Sequence, residues 1–142
     1  MTGFVATAET EINAAPQRVW AVLTDPAEIR RFMFGAEVRT DWQPGSPIVW
    51  QGEYEGRSYE DRGEILAVEP GHLLRMTHYS PLSGQPDVPE NYHTLTYELT
   101  GDDGSTHLTL RQDNNASPAE AEHARGMWST HVEGIKAAAE RT

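Results

Sequence analysis

The 142-residue chain predicts a single α+β domain in which a curved antiparallel sheet of about seven strands carries two short helices after its first strand and a long C-terminal helix across its concave face. Three observations lead there. Residues 36–114 alternate with period two and are broken by the turn-forming stretches PGSP at 44–47, EGR at 55–57, EPG at 69–71 and GDDGS at 101–105, the pattern of an antiparallel meander. Ser117, Pro118 and Glu120 combine a cap, a first-turn proline and a capping-box acid at the head of a helical stripe. Two further proline-started helical segments lie between the first strand and the meander.

The elements follow in order. In FVATAETEIN, Phe4, Ala6, Ala8 and Ile12 alternate with Val5, Thr7, Glu9 and Glu11, a first strand. Pro16 opens a short helix whose apolar face is Val19, Trp20, Val22 and Leu23, with Trp20 a core residue. Asp25 caps a second, Pro26 takes its first position, and Glu28 is placed to reach back to the cap. The meander divides into strands at 36–43, 47–55, 58–69, 72–80, 92–100 and 106–114. The segment 81–91 holds three prolines and little periodicity, which predicts a long loop at one mouth of the sheet and a place for mobility. From Ser117 a helix of about 24 residues, about 36 Å long, reaches the C-terminus.

Composition narrows the partners. Twenty-two acidic against eleven basic residues leave a formal charge of −11, which disfavours nucleic acid and membrane surfaces. There is no cysteine, no secretory leader pattern and no apolar run of spanning length, which points to the cytoplasm. The sequon at Asn115 reads as a chance match beside a helix cap. Six histidines lack metal-ligand spacing, for His123 and His131 stand eight apart with no His-Glu-x-x-His motif, so no metal is expected. No nucleophile elbow, phosphate loop or dinucleotide fingerprint is present, and no cofactor is expected.

A curled sheet cannot collapse flat onto a helix, so the hollow between them must be filled. The final helix presents Trp128, His131, Val132, Ile135, Ala138 and Ala139 on one stripe, with Met127 beside it. Its first half is aromatic and polar, its second half aliphatic, which predicts an accessible hollow beneath the first half and a seal beneath the second. The strands offer matching rows: Ile48, Trp50, Gly52 and Tyr54; Tyr59, Asp61, Gly63 and Ile65; His93, Leu95, Tyr97 and Leu99; Thr106, Leu108, Leu110 and Gln112. Candidate ligand contacts are Trp50, Tyr54, Tyr59, His93, Tyr97, Gln112, Met127, Trp128 and His131. His93 and His131 are candidate catalytic residues as an acid–base pair, against the alternative of two hydrogen-bonded pocket histidines. Asp61, beside Arg62 and near Tyr59, is a candidate to orient a polar substrate, against the alternative that it and Arg62, which diverge on a strand, form an exposed pair.

The stretches INAAPQRVWAVLTDPAEIRRF, PGSPIVWQGEYEG with DRGEILAVEPGHLL, and GMWSTHVEGIKAAAE, in this order and spacing, resemble the START-like superfamily of helix-grip proteins. Specifically, they are similar to its bacterial branch named for an activator of a heat-shock chaperone's ATPase. The resemblance spans nearly the whole chain and implies the helix-grip fold. Phe32, where many relatives carry Trp, and His131, where an aliphatic is commoner, depart from the pattern at pocket-lining positions. The superfamily includes lipid carriers, polyketide cyclases, hormone receptors and co-chaperone domains. The expected function is therefore binding of a small, mostly hydrophobic molecule between sheet and helix. A cofactor-free polyketide-type cyclase or dehydratase is the alternative, a chaperone-interaction module the second, and a homodimer is compatible with any of them.

Overall fold

The structure, a computed structural model, describes residues 2–141, with the side chain of Tyr54 outside that description. Strand β1 (Phe4–Ile12) buries Ala6, Ala8 and Ile12 and turns Val5, Thr7, Glu9 and Glu11 outward. Phe4, grouped with the inner row by alternation, is 47% exposed instead. The register with the neighbouring strand shifts between Phe4 and Ala6, and such an irregularity rotates the residue beyond it.

Helix α1 (Pro16–Leu23) buries Val19, Val22 and Leu23, and Trp20 packs partly buried against the core. Helix α2 (Pro26–Phe32) is capped by Asp25, whose carboxylate accepts from the Ala27 N–H at 2.9 Å. Glu28 does not close the expected capping box. Its two carboxylate oxygens each lie 2.7 Å from Arg141 at the far end of the chain, a charged partner stronger than a cap amide.

Strand β2 is only Glu37–Arg39, shorter than the expected 36–43. Thr40 accepts from the Trp42 N–H and Asp41 from the Gln43 N–H, and Trp42 adopts a φ of 60°. Such local side-chain bonds compete with the strand ladder. The remaining strands lie close to expectation: β3 (Pro47–Tyr54), β4 (Arg57–Glu69), β5 (Leu73–His78), β6 (His93–Gly101) and β7 (Thr106–Asn115). All seven form one antiparallel sheet in the order β1-β7-β6-β5-β4-β3-β2.

The segment 81–91 is more structured than its sequence suggests. It contains two single 3-10 turns, at Pro81–Ser83 and Pro89–Asn91. The Tyr79 hydroxyl donates to Gln85 O at 2.6 Å, the Tyr92 hydroxyl to Asp87 at 2.6 Å, and the two rings stack at 5.3 Å. Asp87 also pairs with Arg62 on the outer face of β4 at 3.3 Å. The Asn115 amide is occupied internally, donating to Phe4 O at 3.0 Å.

Helix α3 (Pro118–Glu140) begins at Ser117, whose hydroxyl accepts from the Glu120 N–H at 3.1 Å. Val132, Ile135, Ala138 and Ala139 join Ile12, Val19, Leu99 and Leu108 in the main core. Three side chains clasp this C-terminal half. Arg18 donates to the Ala138 carbonyl at 3.2 Å, Glu140 accepts from Asn13 N–H at 2.8 Å, and Lys136 donates to Glu11 O at 2.6 Å. Arg18 thereby satisfies a carbonyl of the last turn that has no partner within the helix. Among the described residues no helix is long and apolar enough to cross a membrane.

Ile135 is fully buried, so Ile135→Ala should cost about 3 kcal/mol in urea unfolding through lost burial and the cavity left behind. Glu133→Ala on the exposed face of α3 should change stability by no more than about 0.5 kcal/mol.

Candidate functional site

Strand register sorts the concave face into rows. Ala8, Leu110, Tyr97 and Leu74 form one, and Ala6, Gln112, Leu95, Met76 and Ile65 the next. One step further, His93 lies opposite His78. Ala121 and Ala124, near the start of α3, pack on Ala6, so the helix enters over the row that contains Gln112 and leaves over the main core around Ile12, Leu99 and Leu108.

At the boundary His131 and Tyr97 share a buried hydrogen bond, Nε2 to Oη, at 2.9 Å. The rings of Phe32 and Trp128 each meet the imidazole edge-on with centroids 5.2 Å away. Burial, with a smaller push from nearby His78, lowers His131 to about 4, so it is neutral near pH 7. Burial likewise pushes the Tyr97 phenol upward.

The second polar pair joins β4 to β5. Asp61 Oδ2 lies 2.9 Å from His78 Nε2, and their side chains are 14% and 16% exposed. Trp50 meets His78 edge-on at 5.0 Å. Gly63 permits this approach, because a Cβ there would stand 1.8 Å from the Thr77 carbonyl oxygen. Four buried polar atoms have no hydrogen-bond partner among the described residues: Asp61 Oδ1, His78 Nδ1, Gln112 Oε1 and Trp128 Nε1. All four belong to the polar half of the grip, where each such atom costs about 1–3 kcal/mol unless something bonds to it.

The structure thus brings Trp50, Tyr97, Gln112, Trp128 and His131 onto the concave side, as the sequence rows imply. Tyr59 is half-buried over Gly52, its phenol raised by burial and then by Asp61. The side chain of Tyr54 lies outside the described residues. Met127 is 57% exposed, since a neighbour of Trp128 on a helix stands about 100° away from it. His93 does not pair with His131. Its Nδ1 lies 2.7 Å from the Asp113 carbonyl oxygen, while His131 faces Tyr97.

Asp61 lies on the inner row that alternation gives it, 14% exposed beside His78, rather than in an exposed pair with Arg62. His78, which the candidate residues do not include, follows Leu74 and Met76 at two-residue steps, the period-two signal that places it on the inner face. The expected roomy hollow is also corrected. The space bounded by Phe32, Trp42, Trp50, Met76 and Tyr97 measures only about 20 Å³, enough for roughly one water. Large aromatic side chains fill what an aliphatic lining would have left open.

The sequence pattern of the family described as activator of Hsp90 ATPase homolog 1-like protein matches residues 13–140. The chain belongs to this family. As a member of the activator of Hsp90 ATPase homolog 1-like family it is similar to ChR145 from Cytophaga hutchinsonii, whose solution structure is 43% identical. That match covers 96% of this chain and 93% of the other, at a TM-score of 0.83. MLL2253 from Mesorhizobium loti is 22% identical with a TM-score of 0.77 and 98% coverage of each chain. The Aha1 dimer from Colwellia psychrerythraea is 16% identical with a TM-score of 0.72 and 96% coverage of each. The last two share the fold. Comparison with functionally curated proteins gives no match.

His131 makes the fold acid-sensitive. The unfolded chain takes up a proton near the ordinary 6.5, whereas the folded chain declines it until about 4, so stability falls as pH falls through that window. The expected loss is on the order of 3 kcal/mol. His131→Gln, which keeps a partner for Tyr97 without titrating, should flatten this part of the stability–pH curve, measured by urea unfolding at stepped pH.

Proposed function

We propose that the protein is a binding or carrier domain that takes a small, mostly apolar molecule between the concave face of the sheet and the N-terminal half of α3. The four buried polar atoms without a protein partner support this reading, because they are polar groups that a ligand or a bound water would have to satisfy. Burial of the ligand's apolar surface supplies affinity at roughly 25 cal/mol per Å², and the polar atoms orient it.

Entry requires the closed interior to open at its polar end. The helix is built for that asymmetry. Its last turns are clasped by Arg18, Lys136 and Glu140, whereas its first turns rest on alanines against Ala6. Gly126 adds a flexible point between the two, with nothing within 4 Å of where a Cβ would stand. Few buried contacts mean a low cost of local opening.

A second reading has one observation in its favour. Asp61 holds His78 through Nε2 and leaves Nδ1 without a partner, the arrangement of an oriented general base. As a cofactor-free cyclase or dehydratase, the protein would use His78 rather than His93 or His131.

Native mass spectrometry of the protein purified from its own host is the test. A bound small organic molecule, diminished in Trp128→Ala, is the expected result. No co-purifying molecule, together with no thermal shift across a broad library of apolar compounds, would sink the carrier reading. Turnover of a retained molecule that stops in His78→Gln would replace it with the catalytic one.

A further inference from the structure

We infer that the first half of α3 is an acid-operated flap: protonation of His131 releases residues 118–131 from the sheet while the second half of the helix stays docked. What this does to a bound molecule rests on the carrier reading; the motion itself does not.

His131 stands at the joint between the two halves, 7% exposed, with Nε2 at 2.9 Å from the Tyr97 hydroxyl of β6. Phe32 of α2 and Trp128 of α3 itself close over the ring edge-on, and β7 sets Leu110 opposite Tyr97. From β5 comes His78, a second imidazole whose charge opposes one on His131, and the carboxylate of Asp61 on β4 is engaged by His78 at 2.9 Å. Among the described residues the histidines paired with carboxylates are His78 and His107, so no counter-charge meets a proton on His131 in place. A cation there has lost its water and gained nothing in return. It is accommodated only where the ring reaches solvent.

Global unfolding and the lifting of one helix half both expose the ring. The second costs less. Lifting the whole helix would unpack Val132, Ile135, Ala138 and Ala139 from the main core and break the bonds of Arg18, Lys136 and Glu140. The first half instead rests on Ala121 and Ala124 against Ala6 with Trp128 partly buried, so it gives up little apolar area. The backbone is also weakest at the joint. Gly126, Ser129, Thr130, Val132 and Gly134 are poor helix formers, whereas the run KAAAE at 136–140 consists of good ones. Gly134 has a packing reason, Phe32 Cβ at 3.0 Å from where its own Cβ would stand; Gly126 has none, with nothing within 4 Å.

The direction follows from the two environments. In the open flap the imidazole takes up a proton near the ordinary 6.5, and in the closed one only at about 4. Closure is therefore fully favoured above pH 6.5 and weakens as pH falls through that window. Between pH 7.5 and pH 5 the ratio of open to closed flap should rise roughly thirtyfold.

Hydrogen exchange of the full chain, read by mass spectrometry and corrected for the intrinsic pH dependence of amide exchange, tests this. Residues 122–131 should lose protection roughly thirtyfold from pH 7.5 to pH 5, while 135–139, β6 and β7 change by less than about threefold. His131→Gln should bring the first-half change close to none. Gly126→Ala should raise first-half protection about fivefold at both pH values and leave their ratio as it is.

Both halves losing protection together, a first half unchanged at pH 5, a change that survives in His131→Gln, or no added protection in Gly126→Ala would each overturn the inference. Should His131→Gln not fold, the contrast between the halves of the natural chain and the Gly126→Ala response still decide it. None of these measurements involves a ligand, so the flap and the carrier reading stand or fall separately.

Discussion

Everything in this domain depends on matching one helical stripe, row by row, to the concave face of a curled sheet. The match is aliphatic where α3 ends, with Val132, Ile135, Ala138 and Ala139 meeting Ile12, Leu99 and Leu108. It is aromatic and polar where α3 begins, with His131 bonded to Tyr97 and edge-on to Trp128 and Phe32. Because strand side chains alternate strictly, a one-residue slip of β6 would turn Tyr97, and one of β7 would turn Gln112, to the outer face. The glycine at position 63 belongs to the same constraint, since a Cβ there would stand 1.8 Å from the Thr77 carbonyl oxygen where β4 meets β5.

The two halves of the grip contribute differently to stability. The closed half supplies apolar burial and is held by charged side chains on backbone groups of the last helical turns. The polar half spends some of that stability: a neutral buried histidine must exclude a proton, and four polar atoms go unbonded within the protein. Such a concentration of local cost is what a binding or catalytic surface requires, and the aliphatic half compensates for it.

The outer face has its own organisation. The Tyr79–Tyr92 stack, the Asp87–Arg62 pair and two 3-10 turns fold the proline-rich segment against the convex side of β4 and β5. The two faces of the sheet are thus covered by different segments, the proline-rich connection outside and α3 inside.

The sequence by itself determined the order of elements, the starts of α2 and α3 and the inner rows of β3, β4, β6 and β7, because caps, prolines and period-two alternation are local properties of the backbone. It also indicated an aromatic and polar stripe on the early part of α3, but the accessible hollow expected beneath it is closed. Only the tertiary structure decided which polar residues meet. His131 is beside Tyr97 rather than His93, Asp61 turns to His78, Glu28 reaches Arg141 instead of its own helix cap, and Trp42 leaves its strand. Each of these outcomes depends on strand register, a glycine-permitted approach or a competing turn, and those are set by contacts between residues far apart in the chain. The size of the interior belongs to the same class, for rows of large side chains show that space will be lined but not whether they close it.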